Sequence, residues 1–297
     1  MSENTKPTVL ALGFFDSVHK GHQKVIEKAF FLAEKLKASV TVFTFMGNLK
    51  KAIGNDDEKM VFTAQEREQI LALYGVKQVF FAPLNKEFLS LEPNEFLTFL
   101  NEKYNVVGYV SGKDYKFGKF GKGDVEYLSN YAKDRAQEII TVDTLTVGDK
   151  KISSTLIKEL ISFGEIEKVN SLLGREYSVT GEVVKDRGVG KTIGYPTANL
   201  KIDAERLLPK NGVYYGNVEV DSNTYRSIIN LGSRPTFGID EGRLEANLID
   251  FKGDLYGKTI KVNFEGFIRE IQKFSSVDEL KKRLEKDKNF LTRGKEK

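Results

Sequence analysis

The sequence predicts two domains of different class: an α/β half built on a mostly parallel sheet, then an antiparallel β-barrel or sandwich followed by a terminal helix. Three observations carry this. The chain has 297 residues, about twice the ~150-residue norm for one domain. As far as Leu173, β-branched runs alternate with helical patterns, which implies βαβ crossovers. From Tyr177 onward the segments are short and alternating, with Gly, Asn and Asp between them, as in barrels and sandwiches.

Each element follows from its local pattern. Thr8 to Leu12 reads as a buried strand, and small residues separate it from an amphipathic helix over His22 to Leu36. Ser39 to Phe45 is a second strand, rich in β-branched and aromatic residues. Gly47 to Glu58 is polar with two glycines and reads as a surface loop. A helix over 63 to 74 starts at Thr63, a good cap. Val76 to Phe81 is a strand, Pro93 to Glu102 a helix, and Val106 to Val110 a strand ending toward Gly112. A helix at 124 to 135, a strand at 139 to 142 and a helix-rich stretch from Ser154 to Leu173 close this half. The second half has strands at Tyr177 to Val184, Gly212 to Val220, Tyr225 to Leu231, Leu244 to Ile249 and Thr259 to Phe267, then a helix from Ser276 to Leu284. The boundary falls near Gly174, giving domains 1–174 and 175–297.

Composition narrows the function. With 46 Lys and Arg against 42 Asp and Glu, the formal charge is only +4, too small to argue for nucleic acid and sufficient for a phosphorylated small molecule. No cysteine is present, which excludes disulfides, thiol nucleophiles and thiolate zinc sites. No apolar run approaches the ~20 residues of a membrane span, and no signal-peptide core follows the first residues. A cytoplasmic enzyme without a membrane or nucleic-acid partner is expected.

Gly13-Phe-Phe-Asp-Ser-Val-His-Lys-Gly-His22 directly follows the first strand and opens the first helix. In a parallel α/β domain this is the carboxyl edge of the sheet, where ligands bind and helix N–H groups face anions. Gly21 permits close approach of a ligand or backbone. His19 and His22, the two histidines of the chain, are three apart and share a helix face. Both can donate to phosphate oxygens. A pair of helix-capping or surface histidines is the plain alternative, and a metal pair lacks an evident third ligand. The spacing is neither the dinucleotide glycine fingerprint nor a Walker A loop.

Gly-x-Phe-Asp-x-x-His-x-Gly-His resembles the nucleotide-binding motif of the His-x-Gly-His nucleotidylyltransferases. In its Gly-Phe-Asp-x-Val-His form it is similar to the bacterial bifunctional riboflavin kinase/FMN adenylyltransferase (FAD synthetase) family, and the resemblance covers essentially the whole chain. It implies a Rossmann-like nucleotidylyltransferase domain, then a β-barrel riboflavin kinase domain with a terminal helix. Gly13, Phe15, Asp16 and Gly21 then belong to the nucleotide site. Gly112 to Gly118 resembles the family's Gly-x-Asp-Phe-x-Phe-Gly segment: Asp114 would accept a hydrogen bond, and Tyr115 and Phe117 would stack on a flat ring. Ile152 to Lys158 resembles Ile-Ser-Ser-Thr-x-Ile-Arg. Ser153, Ser154, Thr155 and Lys158 would hold polyphosphate, although a plain helix cap explains the hydroxyls equally well.

In the second half, Gly188 and Gly190 can wrap phosphate with backbone N–H groups. Thr197 and Asn199 point to one side of an extended segment, where their oxygens suit Mg²⁺. A tight loop bound by its own side chains is the alternative. The segment resembles the riboflavin kinase pattern Gly-x-Gly-Arg-x-x-Gly-Phe-Pro-Thr-Ala-Asn, with Lys191 for Arg. Arg234 lies in a segment resembling the flavin and nucleotide surroundings. Glu245 matches the family's catalytic glutamate and would act as general base; Asn247 stands where histidine is usual. Arg269 would support flavin or loop contacts.

The resemblance implies Mg²⁺-dependent use of ATP twice: riboflavin to FMN, and FMN to FAD. Departures fall mainly in the first half: Ser17 for Gly, no Pro-His-Pro turn after Phe45, Gly121 for Arg and Lys158 for Arg. They leave open an enzyme retaining kinase activity alone. A non-catalytic flavin-binding regulatory protein is a further alternative.

Overall fold

In the computed structural model, which describes residues 6–54, 58–185, 197–232 and 243–292, five parallel strands form the sheet of the first unit, Met1–Leu156. They are β1 (Pro7–Leu12), β2 (Ser39–Phe45), β3 (Gln78–Ala82), β4 (Asn105–Gly112) and β5 (Glu138–Val142), in the order β3-β2-β1-β4-β5. The order reverses between β1 and β4, so their carboxyl ends flank the crevice where α/β sheets bind ligands. The parallel, Rossmann-like expectation is borne out. Helix α1 (Lys20–Leu36) covers the sheet with Val25, Ile26, Ala29, Leu32 and Ala33, spaced as one helical face. On the other face Leu10, Leu12, Phe43 and Tyr109 pack against Phe96, Leu97 and Leu128.

The Gly47 to Glu58 stretch, expected as loop, contains the short helix α2 (Leu49–Ala52), because the Asn48 side chain accepts the Lys51 N–H and so offers a cap. Thr63 does cap α3 (Ala64–Leu73), in a reciprocal box with Glu66. The single turn α4 (Lys86–Leu89) was not foreseen; α5 (Pro93–Lys103) and α6 (Val125–Lys133) match their expected positions. A two-residue hairpin, β6 (Thr146–Val147) with β7 (Lys150–Lys151), adds a turn at Gly148 and Asp149.

The helical stretch resolves into α7 (Ser154–Ser162) and α8 (Ile166–Leu173). In the second unit, Ile157–Lys297, six antiparallel strands close a barrel. They are β8 (Tyr177–Val184), β9 (Ala198–Lys201), β10 (Gly212–Val220), β11 (Asn223–Gly232), β12 (Arg243–Leu248) and β13 (Thr259–Arg269), in the cyclic order β10-β11-β12-β9-β8-β13. Of the barrel and sandwich, the barrel is the form adopted. Strand β9, hidden in a turn-rich sequence, closes the cylinder between β12 and β8. Helix α9 (Val277–Lys288) follows, capped by Ser276.

Candidate active sites

A cavity of about 300 Å³ opens at the carboxyl ends of β1 and β4. His19 is the N-cap of α1, and its Nδ1 accepts the His22 backbone N–H at 3.2 Å. A nitrogen that accepts carries no proton, so neutral His19 has its proton on Nε2. The two imidazoles stack at 3.7 Å between centroids, 9° from parallel, and the Phe15 ring sits 5.0 Å from that of His22. A side chain at Gly21 would place its Cβ 3.0 Å from His19 Cε1, so glycine there leaves the imidazole its place. No acidic residue occupies the first turn of α1, which keeps the positive end of the helix dipole open to an anion.

Beneath the cavity the loop is pinned from several directions. Asp16 is 1% exposed, and its Oδ1 accepts the Val61 N–H at 2.9 Å. Ser17 and Ser154 share a hydroxyl hydrogen bond of 2.9 Å, so the serine found where the family has glycine ties the loop to the start of α7. It is Phe15 (φ 49°) and Val18 (φ 44°), rather than Ser17, that adopt positive φ.

Gly13, Phe15, His19, Gly21 and His22 line the cavity, joined by Asp114, Tyr115, Ser153 and Ser154. Ser153 Oγ also accepts the Leu156 N–H, so the capping role holds as well. Asp114 is paired with Lys151. Burial pushes the Asp114 carboxyl up, but the hydrogen bond and charge of Lys151, with His19 contributing, hold it below its ordinary value. Burial pushes the Tyr115 phenol up. Phe117 lies in the core, stacked under Tyr115 at 5.8 Å and packed on Phe96. Thr155 and Lys158 do not line the cavity. Lys151 was missed from sequence; the Gly148-Asp149 turn just before it is the signal of the hairpin that carries it.

On the barrel, register does the assembling. Glu245 of β12 is paired directly with Asn199 of β9 on one side and Asn230 of β11 on the other. Directly paired residues project to the same face, so two amides flank one carboxylate. Thr197 lines a second cavity of about 310 Å³ together with Ala198, Phe251, Asp254 and Tyr256, and neither Asn199 nor Glu245 is part of that lining. Arg269 is committed elsewhere: Nε and Nη2 donate to Asp287 of α9, with Nη2 at 2.8 Å, and Nη1 donates to the Glu270 carbonyl. Gly188, Gly190, Lys191 and Arg234 lie outside the described residues. Asn230 was not singled out as a site residue, because it is the register of β11 on β12 that brings it beside Glu245.

Comparison with known proteins places both centres in context. The FAD synthetase family matches residues 1–156 and the riboflavin kinase family residues 173–293. The bifunctional riboflavin kinase/FMN adenylyltransferase of Bacillus subtilis (strain 168) is 34% identical over 298 residues, spanning 99% of this chain and 94% of that protein. The protein of the same description from Listeria monocytogenes is 34% identical, spanning 94% and 90%. A crystal structure described as a macrolide-efflux protein from Streptococcus pneumoniae superposes with a TM-score of 0.89 at 34% identity, covering 99% of this chain and 95% of that one. Among the described residues, no helix is long and apolar enough to cross a membrane.

Proposed function

This chain belongs to the bifunctional riboflavin kinase/FMN adenylyltransferase family, and from that premise we propose which residues carry each reaction. The enzyme has two catalytic parts, one phosphorylating riboflavin and one adenylylating FMN. We divide them near Gly174; the two family matches leave 157–172 outside both. Both reactions are assigned to the cytoplasm, in keeping with a cysteine-free chain that consumes ATP.

In the first centre, a phosphate oxygen of FMN attacks the α-phosphorus of ATP, and the bond to pyrophosphate breaks. Negative charge builds on the oxygens around the α-phosphorus and on the leaving pyrophosphate, where preorganised donors are worth most. His19 Nε2, His22 and the first turn of α1 supply them, with Ser153 and Ser154 on the polyphosphate; Thr155 and Lys158, which stand off the cavity lining, are assigned to it by resemblance alone. Gly13, Phe15 and Gly21 shape the nucleotide pocket, and Asp16 anchors its loop. Asp114 and Tyr115, backed by Phe117, take the flavin side. The observation that carries this reading is the stacked His19–His22 pair at the helix N-terminus inside the cavity.

In the second centre, Glu245 takes the proton of the riboflavin 5′-hydroxyl as that oxygen attacks the γ-phosphorus and ADP leaves. Asn199 and Thr197 would hold Mg²⁺. Two neutral oxygens are an incomplete shell for a hard cation, and nucleotide phosphates complete it; the ion neutralises phosphate charge when bound. Gly188, Gly190, Lys191 and Arg234 are assigned to the nucleotide and flavin by resemblance. Arg269 is assigned to supporting that face through its pairing with Asp287.

A crossover assay tests the division. Glu245→Gln lowers FMN formation from riboflavin by ~10²–10⁴-fold and leaves FAD formation from supplied FMN intact. His19→Ala does the reverse. A folded variant of either kind that loses both reactions overturns the assignment.

A further inference from the structure

Behind the β1–α1 loop lies a buried charge that neither reaction has yet used. Arg67 of α3 is 0% exposed. Its Nη1 donates to the Phe14 carbonyl at 3.2 Å and to Thr44 Oγ1 at 3.0 Å, and its Nη2 donates to the Phe45 carbonyl at 2.8 Å. Thr44 Oγ1 donates to the same Phe14 carbonyl at 2.6 Å. The guanidinium also lies over the rings of Phe14 and Phe81, at 5.7 and 5.4 Å. Among the described residues its Nε has no hydrogen-bond partner. Burial brings the group down to about 10, with the Asp16 charge acting in the opposite direction, so it stays a cation at neutral pH.

Both carbonyls it holds belong to walls of the nucleotide cavity: Phe14 and Phe45 line it with His19 and His22. Burying a guanidinium against neutral carbonyls is expensive, and an apolar residue would pack as well. What the fork adds is a fixed bridge between the end of β2 and the loop after β1, which a single ammonium cannot span in the same way. The bridged loop needs a brace. Phe15 and the β-branched Val18 both hold positive φ, a conformation that persists only where the surroundings over-determine it.

We propose that Arg67 is a positioning residue for adenylyl transfer. It locks the Phe14 and Phe45 walls together so that the loop delivers His19 and the first turn of α1 to the polyphosphate. This rests on the assignment of His19 and His22 to that reaction. Its effect falls on nucleotide binding, because misplacing a wall by about 1 Å disturbs the phosphate contacts before any chemistry begins.

The test uses full-length Arg67→Gln, Arg67→Lys and Thr44→Val, assayed for FAD formation from FMN across a range of MgATP, well below each variant's unfolding midpoint. The KM for ATP is expected to rise about tenfold or more in Arg67→Gln and less in Arg67→Lys and Thr44→Val. Riboflavin phosphorylation in the same samples stays at the wild-type level. Mere instability would lower the active fraction, and so the apparent kcat, while leaving KM unchanged. A KM within twofold of wild type in Arg67→Gln overturns the proposal. If that variant does not fold, the same criterion applied to Arg67→Lys and Thr44→Val decides. His19→Ala separates the two readings. Full FAD formation in that variant sinks the site assignment, whereas its loss alongside an unchanged KM in the Arg67 series sinks only the role of Arg67.

Discussion

The two proposed centres position their candidate reacting groups by opposite means. In the first, imidazoles sit on a loop and the opening turn of a helix, and loops have little stiffness of their own. Buried polar ties supply it: Asp16 to Val61, Ser17 to Ser154, and Arg67 to Phe14 and Phe45. On the barrel, Glu245 stands between Asn199 and Asn230 because three antiparallel strands pair in that register. A loop-built site is thus sensitive to side chains that never touch substrate. A strand-built site is sensitive to register and to whatever holds the sheet.

The sharpest probe of that contrast is His19→Asn. Asparagine is a good N-cap, so α1 keeps its stability to within a few tenths of a kcal/mol while the imidazole is lost. FAD formation should fall by ~10²–10³-fold with FMN formation unchanged, read from steady-state product analysis. Equal loss of both products would erase the distinction between the centres. Next in size is Asp287→Ala. Asp287 is 0% exposed and pairs with Arg269 at 2.8 Å and Arg283 at 3.1 Å. Leaving these arginines without their counter-charge should cost the barrel unit about 3–5 kcal/mol, measured by urea unfolding, and should weaken riboflavin phosphorylation in the folded fraction as well, because Arg269 loses the partner that sets it. Thr63→Ala removes half of the capping box on α3 and should cost about 1 kcal/mol. Because α3 carries Arg67, a small rise in the KM for ATP should accompany it.

The smallest effect concerns pH. Asp114 is held below its ordinary value by Lys151 against the upward push of burial. A depressed carboxyl stabilises the folded state above its unfolded pKa of ~4 and loses that contribution as pH falls through the lower folded value. Lys151→Ala should therefore make the first unit less sensitive to acid below about pH 4, seen as a flatter dependence of thermal midpoint on pH. An unchanged acid limb would mean that the exposed pair contributes nothing.

Much of the protein was legible before folding. Strand β2 falls where its β-branched and aromatic residues put it, and the barrel strands β8 and β10 where alternation put them, because a strand's pattern is set by its own residues. His19, His22 and Thr197 stood out from glycines and turn residues around them, whereas Asp114 and Glu245 stood out through the resemblance of their segments to the family's motifs. Strand β9 was not legible: Ala198 to Lys201 follows a turn-rich run, and only its pairing with β12 and β8 makes it a strand. Arg67 was invisible for a related reason. It lies between two glutamates on α3, where a cation ordinarily faces water, and nothing local says that the end of β2 and the loop after β1 will close over it.

The sequence alone therefore determined the two fold classes through periodicity, a local property of the chain, and pointed to the bipartite chemistry through the resemblance of its short motifs to a known family. The tertiary structure alone decided that Asn230 flanks Glu245, that Arg269 is spent on Asp287, and that Arg67 braces the histidine loop. Each of these depends on segments far apart in the chain meeting at hydrogen-bond distance, and only the packed fold sets those meetings.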